Sequence, residues 1–497
     1  MTTPQAPELR RVIDVMTPEY VEQYRLLPVG LENGSVVIAH AGPVDVQAFA
    51  ELTQIAGVPL SLREVAEDQL QSWARRTRFS GSVDEVPTLA DREELLASDD
   101  DAIEAHDLAE LANQAPVIRL VNVLLADAVT LGASDIHLEA STRGLTMRYR
   151  VEGVLQAAPS PPPTLRAAII SRIKIMADLD VAERRLPQDG RVRLRVEGRD
   201  VDVRISTLPT LRGESVVIRL LDPHGAHADL ATLGMAEDTL ASLVRFTTRT
   251  HGMLLVTGPT GSGKTTTLYA LLARMLTGRE KVVTVEDPVE YELAGVTQVP
   301  VHSRVGLTFA RALRSILRQD PDVLLVGEMR DAETAEICTQ ASLTGHLVLS
   351  TLHTNDAPGA LTRLLDLGVA DYLVASTVEM VLAQRLLRCV CDSCAVTVAL
   401  EPSLIAEARE NGCELETVRR GAGCVVCRGT GYRGRTGIYE LLVVDEHIRD
   451  AFLERRGTSP IRKVALDGGM RSLRADGWRL VGAGVTTPEE VLRVMSN

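Results

Sequence analysis

The period of the hydrophobic pattern changes along the chain. Continuous apolar runs occupy residues 253–257, 281–285, 322–326 and 347–352, each bounded by glycine or charge. Runs of that length, rich in Val and Leu, predict strands buried on both faces, as in a parallel sheet. Upstream, residues 191–196, 201–206 and 215–221 alternate apolar and polar, which predicts a half-exposed antiparallel meander entered through a turn at 187–190. Strands at 134–139 and 145–151 precede it. Before them, Val117, Leu120, Val121, Leu124, Leu125 and Ala128 form the apolar stripe of a helix over 116–131. Residues 1–80 predict a small α/β module, with helices at 17–24 and 44–55, a strand at 35–39 and a turn at Gly42-Pro43. Residues 81–107 lose all period and include Asp99, Asp100 and Asp101, which predicts a flexible, self-repelling linker.

Directly after the first buried run comes Gly258-Pro259-Thr260-Gly261-Ser262-Gly263-Lys264-Thr265. It fits the phosphate-binding loop G-x-x-x-x-G-K-[ST] without a mismatch, in the strand-then-helix context that gives the motif its meaning. The glycines let the backbone wrap an anion and aim its N–H groups inward. A helix expected over 265–276 adds its N-terminal dipole, with Thr266 beside the phosphates. Lys264 is placed to reach the β and γ phosphates, and the Thr265 hydroxyl to help hold Mg²⁺. The chain is therefore expected to bind a nucleoside triphosphate.

The other buried runs end in chemistry. One leads into Glu286-Asp-Pro-Val-Glu290, one into Gly327-Glu328, and one into His353. Ligands of open α/β sheets lie outside the carboxyl ends of the strands. Glu328 is the natural acid for Mg²⁺, reaching it through water. Glu286 and Glu290 are both candidates to orient the attacking water, and one of the two reads equally well as an exposed loop acid. His353 is the better γ-phosphate sensor, because His346 stands roughly 23 Å away at the other end of the same strand. In the meander, Arg204 and Arg219 sit among Val and Ile. They read either as solvent-facing residues or as charges held for a phosphate outside their own domain.

Length and composition narrow the picture. At 497 residues the chain suggests about three domains. A net charge of −14 and 3% aromatic residues weigh against a nucleic-acid motor, which needs a basic channel or stacking platforms. No run of about 18 apolar residues occurs and the first ten residues lack an apolar signal core, so a cytoplasmic location is expected. Cys391-Asp-Ser-Cys394 and Cys424-Val-Val-Cys427 are two C-x-x-C pairs. Paired knuckles suit a closed tetrahedral Cys₄ zinc site with a structural role. Cys389 is an ambiguous extra, and Cys338 and Cys413 read as ordinary small residues.

Taken together, these motifs resemble the secretion-ATPase superfamily that powers type II secretion and type IV pili. The likeness runs from about residue 108 to the end. Thr284-Val-Glu-Asp-Pro-Val-Glu290 matches the family's aspartate box and Asp320 to Asp331 its Walker B segment. Thr344 to Thr354 matches its histidine box, and Gly423 to Glu440 resembles the segment with the second zinc pair. The resemblance implies an α/β fold: a RecA-like ATPase core at 240–497 containing a zinc subdomain at 389–434. A PAS-like α+β domain at 108–225 and the amino-terminal docking module at 1–80 would precede it. It implies ATP, Mg²⁺ and structural Zn²⁺ as cofactors, Glu290 as catalytic base and Glu328 as Walker B acid. Arg204 and Arg219 match arginines that reach the γ-phosphate, and Arg314 and Arg318 fall on positions near the nucleotide. The implied assembly is a homo-hexamer peripheral to the inner membrane. It would dock through its amino-terminal module on the cytoplasmic domain of an inner-membrane secretion protein, and act on an inner-membrane platform protein. A short amino-terminal module favours type II secretion over type IV pilus assembly, with no nucleic acid as partner.

Overall fold

The structure, a computed structural model, describes residues 24–32, 35–45, 49, 53, 59–65, 111–142, 144–196, 198–221, 229–454 and 457–496. The helices expected at 17–24 and 44–55 fall almost wholly outside the described residues, and the linker expected at 81–107 entirely so. The chain divides into two compact units, one of residues 1–124, 142–145 and 161–186, the other of 125–141, 146–160 and 187–497.

In the first unit, β1 (Leu26–Glu32), β2 (Ser35–His40) and β3 (Leu60–Glu64) form a sheet with β2 central, antiparallel to β1 and parallel to β3. Its middle is apolar, with Leu26, Val36 and Ile38 fully buried. Helix α1 (Ala115–Leu131) carries the expected stripe, and all six of its positions are buried. Helix α2 (Arg166–Met176) had no period to announce it.

The second unit contains two large sheets and a small two-stranded one. One is built from β4 (Ala133–Ser141), β5 (Gly144–Val151), β6 (Val154–Ala157), β7 (Gln188–Val196), β8 (Arg199–Thr210) and β9 (Gly213–Leu221), in the order β6-β5-β4-β9-β8-β7. The meander β7–β8–β9 is antiparallel, as the alternation predicts. The turn expected at 187–190 is instead the start of β7, with Gly190 opposite Ile205. β7 is an edge strand, and an edge tolerates Asp and Gly where a central strand would not.

The other large sheet runs β12-β11-β13-β14-β10-β15-β18. It contains β10 (Gly252–Thr257), β11 (Val282–Glu286), β12 (Thr297–Pro300), β13 (Val323–Val326), β14 (Leu347–Leu352), β15 (Val378–Val390) and β18 (Tyr432–Val443). The first six strands are parallel, and only β18 opposes its neighbour. The unbroken apolar runs follow from cores on both faces. Leu254 and Val256 of β10 pack with helices α3 (Glu237–Phe246) and α4 (Lys264–Met275). Met253 and Leu255 of the same strand pack with α5 (Phe309–Ile316), α6 (Ala332–Leu343), α7 (Ala357–Asp366) and α8 (Asp371–Thr377). Each fully buried aliphatic side chain contributes roughly 1.5–3 kcal/mol of transfer free energy, so a polar residue in β10 would oppose both cores.

Between β15 and β18 the chain inserts β16 (Ala395–Ala399), helix α9 (Pro402–Glu410) and β17 (Thr417–Gly421). Helices α10 (Glu446–Leu453), α11 (Thr458–Asp467), α12 (Leu473–Gly482) and α13 (Pro488–Met495) follow β18.

Candidate nucleotide site and cysteine cluster

The phosphate loop leaves β10 and enters α4 at Lys264, with Gly258, Gly261 and Gly263 at φ of 145°, 77° and 88°. Gly258 is also forced by space, because its neighbour is backbone, whereas the neighbour of Gly263 is the movable end of a side chain. A Cβ on Gly258 would lie 2.4 Å from the Gln384 carbonyl oxygen, and one on Gly263 2.8 Å from Gln384 Nε2. Gln384 belongs to β15, so that strand forms a wall of the loop, and its Oε1 accepts from Thr267 Oγ1 at 2.8 Å. Lys264 is buried and donates to the carbonyls of Gly258 (2.7 Å) and Pro259 (3.0 Å). Burial pulls its pKa down to about 8, against the field of Glu328 and with that of Arg385. Pro259 and Thr260 are exposed, whereas Thr265 and Thr266 are half-buried on the first turn of α4. Ser262 Oγ is buried and has no hydrogen-bond partner among the described residues. A buried ammonium with only carbonyl partners and an orphaned hydroxyl, on a loop of glycines, fit a phosphate chain and its Mg²⁺.

The strand ends deliver the expected acids to one edge. Val285, Val326 and Ser350 are cross-strand neighbours, and Thr257 of β10 pairs with Leu352. Glu328 follows β13 and is mostly buried. It forms an ion pair with Arg330 (Nη2–Oε1 2.6 Å) and lies 3.5 Å from His353 Nε2. His346 lies before the strand and bonds the Ala341 carbonyl at 2.9 Å, closing the turn after α6.

The two candidate bases differ sharply. Glu286 is buried, taking hydrogen bonds from the Tyr269 hydroxyl, Thr284 Oγ1 (2.6 Å) and Gln298 Nε2 (3.3 Å). Those bonds tie β11 to α4 and β12 and leave the carboxylate committed. Glu290 is open to solvent on one side and accepts from Arg204 Nη2 at 2.8 Å.

Arg204 is not solvent-facing: only one-fifth of its side chain is exposed. Burial lowers its pKa, with Glu290 opposing and Arg191 and Arg219 adding to the fall. Arg219 is directly opposite Arg204 in register, and Arg191 is opposite it on the other side. Asp135 of β4 completes the row, bonding Arg219 Nε at 2.9 Å. Glu290 and Asp135 offset two of these three neighbouring cations, and the Arg219 side chain is 55% exposed. Arg191 also donates to the Val289 carbonyl at 3.0 Å, beside the 3.2 Å bond from Arg204 to the same oxygen. The sequence reading missed Arg191 and Asp135. Counting back from the paired ends Val196–Arg199 and Thr210–Gly213 would have placed Arg191, Arg204 and Arg219 in one row. Arg314 is bonded to Glu333, and Arg318 donates to the Arg314 carbonyl at 2.6 Å.

The four cysteines of the two C-x-x-C pairs converge, with all Sγ atoms within 4.8 Å of one another. Separations are 3.9 Å for Cys391–Cys424, and 3.7 Å for both Cys394–Cys427 and Cys424–Cys427. A tetrahedron with Zn–S of about 2.3 Å has edges of about 3.8 Å, so the donor set fits zinc, and the spacing is far from the S–S bond of about 2.05 Å. Burial raises the Cys427 thiol, but N–H groups of Cys424 and Gly431 donate to its sulfur (3.1 and 3.3 Å). With the neighbouring thiols they bring it down to about 6. Cys389 sits where the β15–β18 register shifts, and Cys338 is in the core. A zinc ion there would cross-link the ends of β15 and β18.

Fold and site define a phosphate-loop ATPase with a RecA-like parallel sheet and an inserted four-cysteine subdomain. The chain belongs to the Type II/IV secretion system protein family, whose model matches residues 110–493. An MshEN domain model matches residues 3–81. Type II secretion system protein HxcR of Pseudomonas aeruginosa is 50% identical over 95% of this chain and 97% of its own length. Type II secretion system ATPase E of Vibrio cholerae is 40% identical over 97% of this chain and 98% of its own. Among solved structures, the pilus retraction motor PilT with bound ADP matches with a TM-score of 0.51 and 25% identity, over 75% of this chain and 96% of that one. The chain is an ATP-hydrolysing enzyme of the type II secretion class. Among the described residues, no helix is long and apolar enough to cross a membrane.

Proposed function

We propose that this enzyme is a hexameric motor that spends ATP to assemble a pseudopilus and drive protein export by a type II secretion system. In this reading the phosphate loop from Gly258 to Thr266 holds the nucleotide, with Lys264 on its terminal phosphates. Thr265 and Glu328 would hold Mg²⁺, which would supply positive charge to the phosphates when bound. Glu290 orients the attacking water. Arg204 and Arg219 stabilise charge on the transferred phosphoryl group, and His353, tied to Glu328, reports its presence. The zinc cluster is structural.

The observation that carries the assignment is the 2.8 Å pair between Arg204 and Glu290. It couples an arginine of the six-stranded sheet to an acid of the ATPase core, whereas Glu286 is consumed by three internal hydrogen bonds. The test is Glu290→Gln beside Glu286→Gln. We expect the former to bind ATP normally and release almost no phosphate. Normal turnover in Glu290→Gln would overturn the assignment of the base.

The amino-terminal module, within which the MshEN model matches, serves in this reading to dock the motor on the cytoplasmic part of an inner-membrane protein. That would make membrane association peripheral, with the platform protein as the moved partner. Type IV pilus assembly is the second reading, since one structural match is a pilus motor. The names of the relatives over almost the full chain favour secretion.

A further inference from the structure

Arg385 belongs to no motif considered so far. It lies on β15 two residues beyond Ala383, which pairs with Thr257, the last residue of β10. It therefore stands just past the carboxyl edge of the strand that leads into the phosphate loop. The preceding residue, Gln384, already walls Gly258 and Gly263.

Its lack of an acid is unusual. Other arginines of this unit are matched to acids: Arg388 to Glu490 at 2.7 Å, Arg462 to Glu440 at 3.1 Å, Arg330 to Glu328 at 2.6 Å and Arg204 to Glu290 at 2.8 Å. Arg385 is half-buried and, among the described residues, has no carboxylate within ion-pair distance and no partner for its buried Nε. Its guanidinium donates to one neutral group, Asn355 Oδ1, at 3.2 Å. Asn355 is two residues past His353, in the loop between β14 and α7. The charge of Arg385 also reaches Lys264, helping to depress that lysine. Lys264 already feels the carboxylate of Glu328, whereas Arg385 is a partly buried cation with no ion-pair partner among the described residues. Such an arrangement costs free energy in the empty protein and is relieved when an anion enters.

We propose that Arg385 is a nucleotide-binding residue that contacts the terminal phosphate of ATP, from the side of the sheet opposite α4. The inference rests on the ATPase reading and adds a residue to it. Lys264 approaches from the loop itself. Arg385 approaches from the neighbouring strand and shares the loop that follows His353, so it distinguishes triphosphate from diphosphate. A guanidinium offers a planar fork to two phosphate oxygens, which an ammonium cannot copy.

The experiment measures equilibrium binding of ATPγS and of ADP to the full-length protein, with Arg385→Ala, Arg385→Lys and Asn355→Ala beside wild type. Turnover of ATP by wild type, measured in the same preparation, tests the ATPase reading separately. Loss of one charge-assisted contact corresponds to about tenfold or more in affinity. Arg385→Ala should weaken ATPγS by about that factor and ADP by less than about threefold, with Arg385→Lys between the two. Asn355→Ala should leave both affinities nearly unchanged. Unaltered ATPγS binding in Arg385→Ala, or equal loss for ATPγS and ADP, would overturn the proposal. So would Asn355→Ala reproducing the Arg385→Ala pattern, since Arg385 would then only brace the loop. An unchanged melting temperature in Arg385→Ala shows that the loss is not unfolding.

Discussion

Single side chains decide the chemistry, and their burial separates roles that their types leave open. Glu286 and Glu290 lie four residues apart and look alike in sequence, yet one is held by Tyr269, Thr284 and Gln298 and the other faces Arg204. Local sequence could not have told them apart, because two of the three groups that occupy Glu286 come from α4 and β12. Arg204 and Arg219 supply charge stabilisation in the proposed mechanism. Arg204→Ala is expected to lower the maximal rate by about 10³ or more, while the dissociation constant for a non-hydrolysable analogue moves only a few-fold. Arg219→Ala should act in the same direction, and full turnover in both would return the pair to ordinary strand residues. Lys264 gives a pH prediction. Its pKa is depressed to about 8 in the empty loop, from a usual value of 10.5. Between those two values the unfolded chain holds the proton and the folded loop does not, so this residue's effect on stability becomes more favourable as pH rises through the window. Binding has the opposite sign, because phosphate favours the ammonium. ATP affinity should therefore fall from pH 8 to pH 10 with net proton uptake on binding, measurable by calorimetry in buffers of different ionisation enthalpy. Pairing unchanged affinity with no proton uptake would refute it.

At the scale of elements, the sequence was readable where burial is uniform. β10, β11, β13 and β14 are covered on both faces, so each is a plain apolar run and its end is easily located. β15 and β18 went unrecognised although they have 13 and 12 residues. β15 mixes Glu379, Gln384, Arg385 and Arg388 with its apolar residues, because its far end meets the loop, a cysteine cluster and Glu490 in turn. β18 carries Gly434, Gly437 and Glu440, the last fully buried and bonded to Arg462 and to the N–H of Ala357. Such residues are set by distant partners, which a local pattern cannot contain. The cysteine pairs were legible because metal chemistry fixes their spacing. Cys424→Ser should remove zinc, taking it from about one per subunit to none by metal analysis, and should loosen the segment from β16 to β17. ATP binding should persist, and wild type purified without zinc would sink the assignment.

At the scale of the whole molecule, the small sheet β1–β3 lies in the first unit and contains none of the nucleotide-site residues, all of which belong to the second. Deletion of residues 1–80 should therefore preserve ATP binding and the melting transition of the remainder, and abolish co-purification with the cytoplasmic domain of the membrane partner. Retained co-purification would place the docking surface elsewhere. Within the larger unit, β15 has a consequence for how work can be delivered. Ala383 of this strand pairs with the residue before the phosphate loop, and Cys391 follows eight residues later, roughly 26 Å along the same strand. An appendage on a loose tether would swing independently of the sheet. This one is geared to it, so a tilt of the strand at the nucleotide edge is carried to the cysteine end as through a shaft.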